Sequence, residues 1–316
     1  MLKFIVKRIL ISIPIFLCIT FAVFVLSNLA PGSPADVIAQ AGNLTEEAYR
    51  QLEISLGLDK PIYVRYAIWL GDLLKGYFGN STTLYAPVSY LIQKRIGPSL
   101  LLTGTSIVLA TLLAIPLGVI AACKPYSAWD NASSVVSFLG VSLPSFFLCL
   151  VGIYVFSVKL AILPASGMHN PGDESLGDLL RHLLLPSLIV CVLNMGSIVK
   201  QTRGAVLEVL GEDYIKTARS KGLKEKVVII KHALRNALIP IVTTIGMLVP
   251  MLVGGAVVTE QCFGWPGMGS LMINAISTRD YNTIMGCTVV ISVSVLVVNL
   301  LLDILYTYLD PRIKKG

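Results

Sequence analysis

Charge is scarce in this 316-residue sequence: Asp, Glu, Lys and Arg together make up 14% of it, against roughly a quarter in soluble domains. Apolar residues fill 55%, and mean hydropathy is +0.77, more apolar surface than one or two water-soluble cores can bury. A soluble enzyme is excluded on that ground, and a bilayer is the solvent the composition calls for. A clustered basic face is also missing. The net charge is +7, but the positive residues fall between hydrophobic runs, so no nucleic-acid partner is expected. The six cysteines (Cys18, Cys123, Cys149, Cys191, Cys262 and Cys287) form no C-x-x-C pair and no tight framework, which excludes a small disulfide-stapled domain.

Catalytic and energy-coupling motifs are absent too. No Gly-Lys dipeptide occurs, so the chain has no phosphate-cradling G-x-x-x-x-G-K-[ST] loop. His169, His182 and His232 lie in no H-E-x-x-H motif and beside no cysteine at ligand spacing, so no metal site is expected. There is no G-x-S-x-G elbow, and Gly267-Met268-Gly269 lacks the third glycine of a dinucleotide fingerprint. No catalytic residue and no bound cofactor are expected, and no internal repeat is evident. Asp303, in the continuation of the last apolar run, is the one acidic candidate for a membrane helix. It stands seven residues before Asp310, about 10 Å along a helix, and suits either pairing with a terminal Lys or Arg or a relay role.

What is present is six uncharged runs of at least 17 residues: Ile9 to Ala30, Ser99 to Cys123, Asn131 to Val158, Leu183 to Val199, Ala237 to Thr259 and Tyr281 to Leu302. Each is long enough to cross a bilayer. Pro14, Pro116, Pro144 and Pro250 predict kinks in four of them. The first run, at 22 residues, exceeds a signal-peptide core and is expected to be a retained helix. With both termini inside, the inner segments hold 16 Lys and Arg and the short outer loops only Lys159, Arg181 and Arg279, so both termini are expected to be cytoplasmic.

The 68-residue stretch from Pro31 to Pro98 reads as a helical insert outside the membrane. Thr45 suits a cap before Glu46 and Glu47, with a stop near Gly57. Pro61 suits the first position of a second helix ending at Gly76, whose Tyr66, Trp69, Leu70 and Leu73 form one apolar face. The insert serves either as a cap packed on the membrane face or as a docking surface.

Between the fourth and fifth runs, Gly211 breaks the incoming helix, and Glu212 and Asp213 are expected to cap a helix of about two turns over Tyr214 to Lys221. Gly222 is its left-handed stop. A helix this short needs something to pack on. Tyr214, Ala218 and the stem of Lys221 share one stripe, while Lys216 and Arg219 point elsewhere, which suits either a protein groove or anionic membrane lipid.

Asp213-Tyr214-Ile215-Lys216-Thr217-Ala218-Arg219-Ser220-Lys221-Gly222-Leu223 and His232-Ala233-Leu234-Arg235-Asn236-Ala237-Leu238-Ile239-Pro240 resemble the cytoplasmic signature of ABC-importer permeases. Lys216-Thr217-Ala218 stands at its E-A-A, Gly222 at its Gly and His232 to Arg235 at its I-x-L-P. Lys216, Thr217, His232 and Arg235 depart from the general pattern in the manner of the dipeptide, oligopeptide and nickel branch. Pro31-Gly32-Ser33-Pro34, Ser142-Leu143-Pro144-Ser145-Phe146, Leu163-Pro164-Ala165-Ser166-Gly167, Pro266-Gly267-Met268-Gly269 and Asp310-Pro311-Arg312-Ile313 extend the resemblance along the chain.

The resemblance implies an all-α integral membrane protein of the type I importer fold, multi-pass in the cytoplasmic (inner) membrane. Residues 1–98 would hold the first helix and the extracytoplasmic insert, 99–310 a five-helix core with a coupling helix near 213–221, and 311–316 a cytoplasmic tail. The partners it implies are a second homologous permease, two ATPase subunits (or one homodimer) carrying ATP and Mg, and an extracytoplasmic solute-binding protein. Contact with the ATPase would fall to Tyr214, Ile215, Thr217, Ala218, Lys221, Gly222 and Leu223. Thr103, Ser106, Asn194, Ser197 and Asn299 are polar candidates for the pathway. Gln261 to Leu271 reads as a wet loop with aromatics at the interface or as a gate dipping toward the path. Peptide is the expected solute, with a nickel complex as the alternative; outside this branch stand a self-contained secondary transporter and a membrane sensor.

Overall fold

A computed structural model describes residues 2–29, 32–36, 39 and 45–309. The tail 311–316 and the Pro31 and Asp310-Pro311-Arg312-Ile313 motif residues lie outside the described residues. In chain order the helices are α1 (Leu2–Leu29), α2 (Glu46–Ser55), α3 (Ile62–Leu74), α4 (Val88–Cys123), α5 (Ala128–Ser142), α6 (Ser145–Lys159), α7 (Leu176–Leu210), α8 (Asp213–Ser220), α9 (Glu225–Gly254), α10 (Val257–Cys262), α11 (Met268–Ser277) and α12 (Tyr281–Leu309). Among the described residues there is no strand, only an isolated bridge between Asn80 and Pro87.

All six apolar runs fall on helices. Five helices, α1, α4, α7, α9 and α12, are long and apolar enough to cross a membrane, and there are up to six spans if α5 and α6, bent by 106°, form one. That bend is at Pro144, whose ring forces Leu143 into extended backbone at ψ 130°. Pro250 likewise sits at a break, heading the short turn Met251–Gly254. At Pro14 and Pro116 the helix continues through the proline without a break. Two wide-turn segments, Ile153–Lys159 and Val228–Leu234, are not foreshadowed by any proline.

The chain divides into two compact units, Met1–Pro98 with Gly267–Leu300, and Ser99–Pro266 with Leu301–Gly316. In the first, α3 lies on α1. The Thr20 and Tyr66 hydroxyls are 2.9 Å apart, and the rings of Phe24 and Tyr66 meet edge to face at 5.1–5.5 Å along with Phe21. Thr45 caps α2 by accepting the Ala48 N–H, as its position predicts, and Gly57 and Gly76 follow α2 and α3 with φ of +67° and +81°. Asp280, almost fully buried, accepts from the Ser81 hydroxyl, from Thr83 at 3.4 Å and from Thr283 Oγ1 at 2.7 Å, which fastens the end of the insert to the start of α12.

In the second unit α5 packs along α7. Arg203 donates from Nε to Asp130 Oδ1 at 2.6 Å and from Nη2 to Oδ2 at 3.0 Å, a fork that fixes orientation as well as distance. Farther along, the two helices approach at glycines, as small residues permit between membrane helices.

Candidate functional site

The short helix α8 is built as its sequence demands, with one difference. Glu212 holds the cap position, as expected, but its side chain makes no capping bond, and Asp213 supplies the expected acid in the first turn while pairing with Lys216 at 2.8 Å. At the other end Gly222 adopts φ +74° and donates its N–H to the Arg219 carbonyl at 2.9 Å, the left-handed stop expected there.

The face that turns inward is not the expected stripe. Ile215 is fully buried and Ala218 nearly so, packed on Val228 and Ala233 with Val209 and Leu210 beside them. The stripe through Tyr214, Ala218 and Lys221 is therefore divided: Ala218 is covered by this chain while Tyr214 and Lys221 are exposed. The Arg219 guanidinium forks onto Glu225 at 2.7 and 3.2 Å, a pairing that pushes its pKa up. Asn236 Nδ2 donates to the Tyr214 hydroxyl at 3.0 Å. α8 is thus held to the start of α9 by an apolar contact, a charged fork and a hydrogen bond. Its outer surface is Tyr214, Lys216, Thr217, Ser220, Lys221, Gly222 and Leu223.

The pathway candidates separate by environment. Thr103 and Ser106 are fully buried, and their hydroxyls donate to carbonyls, Thr103 to Ser99 at 2.6 Å and Leu252 at 3.3 Å, Ser106 to Leu102 at 2.6 Å. Their polarity is spent inside the helix packing. Asn194 is buried with its amide nitrogen unpartnered, whereas Ser197 is exposed and donates to the Asn194 carbonyl at 3.0 Å. Asn299 is exposed on α12, in the other unit.

The Gln261 to Leu271 segment does not place its aromatics in a wet belt. Trp265 is fully buried against Leu102 and Leu183, and Phe263 against Cys149, Leu185 and Ile189. Gly167 donates its N–H to the Phe263 carbonyl at 2.7 Å, tying this loop to the one before α7. Next to it lies a residue that sequence reasoning passed over. Glu260 is fully buried and accepts from Ser99 Oγ at 2.8 Å; the signal was an acid directly following the fifth apolar run. A second missed cluster is Asp178, which accepts from the Asn170 backbone and amide at 2.8 and 2.6 Å with His169 and His182 each at 3.5 Å. No group of three or more His, Cys, Asp or Glu able to hold a metal occurs among the described residues.

Residues 114–315 match the model of the binding-protein-dependent transport system inner membrane component, and residues 1–89 match the model of the N-terminal part of such membrane components. The oligopeptide transport system permease protein AppB of Bacillus subtilis (strain 168) is 42% identical over 99% of this chain and 100% of its own length. The dipeptide transport system permease protein DppB of Escherichia coli (strain K12) is 36% identical over 99% of both chains. A protein of Brucella suis biovar 1, whose peptide-permease name is itself provisional, is 44% identical over 99% of both.

Proposed function

Because the chain belongs to the inner membrane components of binding-protein-dependent transport systems, we propose that it is one permease subunit of an ATP-driven importer of peptides. The observation that carries the reading is end-to-end similarity to permeases named for oligopeptides and dipeptides, at 42% and 36% identity; those names favour peptide over a nickel complex. As a family member with up to six apolar spans, it is a multi-pass inner-membrane protein. The distribution of Lys and Arg supports cytoplasmic termini.

In this reading α8 is the coupling helix. The outer surface, with Tyr214, Thr217, Lys221 and Leu223, rests in a groove of an ATPase subunit, which binds ATP and Mg and performs hydrolysis. Ile215 and Ala218, buried against Val228 and Ala233, pass the displacement of α8 to the ends of α7 and α9. A helix of eight residues makes a poor lever unless anchored to its own chain, and this one has an apolar, an ionic and a hydrogen-bonded anchor. A second permease subunit completes the path, a pair of ATPase subunits closes on ATP, and an extracytoplasmic binding protein delivers the peptide. The permease then switches as a bistable unit.

The test is purification of the chain from its native membrane in mild detergent, with identification of co-purifying chains and assay of ATP hydrolysis and of peptide uptake after reconstitution. A second permease, ATPase chains and binding-protein-dependent peptide uptake are expected. Uptake driven by an ion gradient with no ATPase present would overturn the reading.

A further inference from the structure

Helix α3 carries two opposite charges over one hollow. Arg65 and Asp72 are seven residues apart, close to two full helical turns, so they stand on one face about 10.5 Å apart along the axis. Both line a single cavity of about 400 Å³ within the first unit, a size in the range of small-ligand sites. Its apolar wall includes Phe24, Trp69 and Phe78, and Lys60 and Asn282 add polar groups.

The Arg65 guanidinium is the unusual group. It is half-buried, 5.9 Å from the centre of the Phe24 ring, and no ion pair or hydrogen bond engages it among the described residues. Burial pulls its pKa down, offset in part by Tyr281 and Asp59. A desolvated cation costs free energy that an anion in the cavity would offset. Asp72, at the opposite end, meets Lys75 at 3.7 Å in a solvent-exposed i,i+3 pair, a contact of the kind that contributes little and leaves the carboxylate available.

The register of the two residues on α3 sets the scale of the ligand. An extended peptide advances about 3.3–3.6 Å per residue, so a peptide of about three residues is as long as the axial rise between the Arg65 and Asp72 backbone positions. A free amino acid is too short to reach both. A phosphate or other polyanion would satisfy Arg65 and Lys60 but bring negative charge toward Asp72. The aromatic and apolar wall suits the side chains between the two ends.

We propose that this cavity is a peptide-binding site on the permease itself, holding an extended tripeptide with its C-terminal carboxylate on Arg65 and Lys60 and its N-terminal ammonium on Asp72. The proposal rests on the peptide reading above. In the orientation proposed there, the cavity lies on the side from which the binding protein delivers its solute.

The test measures binding of tritiated Ala-Phe-Ala to the complete transporter in lipid nanodiscs without binding protein, alongside peptide uptake with binding protein. Saturable binding is expected, weakened tenfold or more by Arg65→Gln, by Asp72→Asn, by N-terminal acetylation or by C-terminal amidation. The amidated peptide should lose little further affinity on Arg65→Gln, because the two changes remove the same contact. Co-purification of each variant with its ATPase reports that it has folded. Equal binding of free and blocked peptides, or unaltered binding by both variants, with wild-type uptake intact, would overturn the site and leave the peptide function standing. An anionic phospholipid that co-purifies with wild type and is released by Arg65→Gln, with no peptide bound, would overturn it as well. Failure of the wild type to import any peptide would instead remove the function on which the site rests.

Discussion

Gly140 and Gly196 meet backbone to backbone where α5 crosses α7. A Cβ on Gly140 would lie 3.2 Å from the Gly196 Cα and 2.8 Å from the Val192 carbonyl oxygen, and one on Gly196 would lie 2.9 Å from the Ser137 oxygen. The obstructing atoms are backbone, which cannot swing aside as a side-chain tip can. Gly140→Ala should therefore force the helices apart and destabilise the unit by about 1–3 kcal/mol, and Gly140→Val by more. Gly204 supplies the comparison: it lies on α7 with nothing within 4 Å of an added Cβ, so Gly204→Ala should be neutral or stabilising by up to about 1 kcal/mol. Thermal unfolding of the purified variants in one detergent decides it, and equal effects at both glycines would remove the close approach from the account.

The two faces of α8 make separable predictions. Ile215→Ala opens a cavity beside Val228 and Ala233 and should cost roughly 2–5 kcal/mol of local stability. Tyr214→Ala removes an exposed ring and the hydrogen bond from Asn236, a loss near 1 kcal/mol. Only the second should weaken ATPase association more than it weakens the fold. Gly222→Pro should damage both, since proline cannot adopt φ +74° and has no N–H for the Arg219 carbonyl. Comparing hydrogen exchange of α8 with the ATPase activity stimulated per permease separates the faces; a Tyr214→Ala chain that couples normally would move the docking surface elsewhere.

Where the hydrophobic pattern is local, the sequence displays the fold openly: all six apolar runs are helical, and Thr45, Gly57, Gly76 and Gly222 act at the ends where their chemistry puts them. What escaped reading depends on distant partners. Over eight residues a stripe through Tyr214 and Ala218 and another through Ile215 and Ala218 fit the helical period equally well, and the choice is made by Val228 and Ala233 ten or more positions later. Pro144 and Pro116 are the same residue in similarly apolar runs, yet only Pro144 stands at a helix end, a difference that the run's composition does not carry. Glu260 stood in plain view at the end of a span, but its burial under Ser99 is a tertiary fact.

Acid should loosen the N-terminal side of the insert. Asp36 accepts the Tyr49 hydroxyl and the Ser33 N–H, each at 2.6 Å, and these bonds, the tyrosine's foremost, hold its pKa below the ordinary carboxylate value. A depressed folded pKa means that the stabilisation is fully present above the unfolded value of about 3.9 and is lost as pH falls through the lower, folded value. Amides of α2 should exchange faster, after correction for intrinsic rates, once the pH drops below about 4. Asp36→Asn should flatten that dependence. A wild-type profile with no change across the acid range would show that this contact does not hold α2.

The hydrogen bond from Ser99 to Glu260 supplies the sharpest test of the loop after α10. Glu260 is fully buried, and its neighbours Phe263 and Trp265 are sealed into two separate apolar clusters, so the carboxylate cannot turn to water when a partner is lost. Ser99→Ala should then cost about 1–3 kcal/mol, the range for removing one partner of a buried polar group, whereas Ser99→Thr keeps the hydroxyl and should cost less. Trp265→Ala, which empties a fully buried site, should cost about 3–5 kcal/mol. The structural consequence is readable by thiol labelling at Cys262, half-buried beside Phe263. If the loop is a clamped element, Ser99→Ala and Trp265→Ala should both speed the labelling of Cys262. A loop that already opens freely in the wild type would give fast labelling in all three chains, and Ser99 and Trp265 would then contribute nothing to its closure.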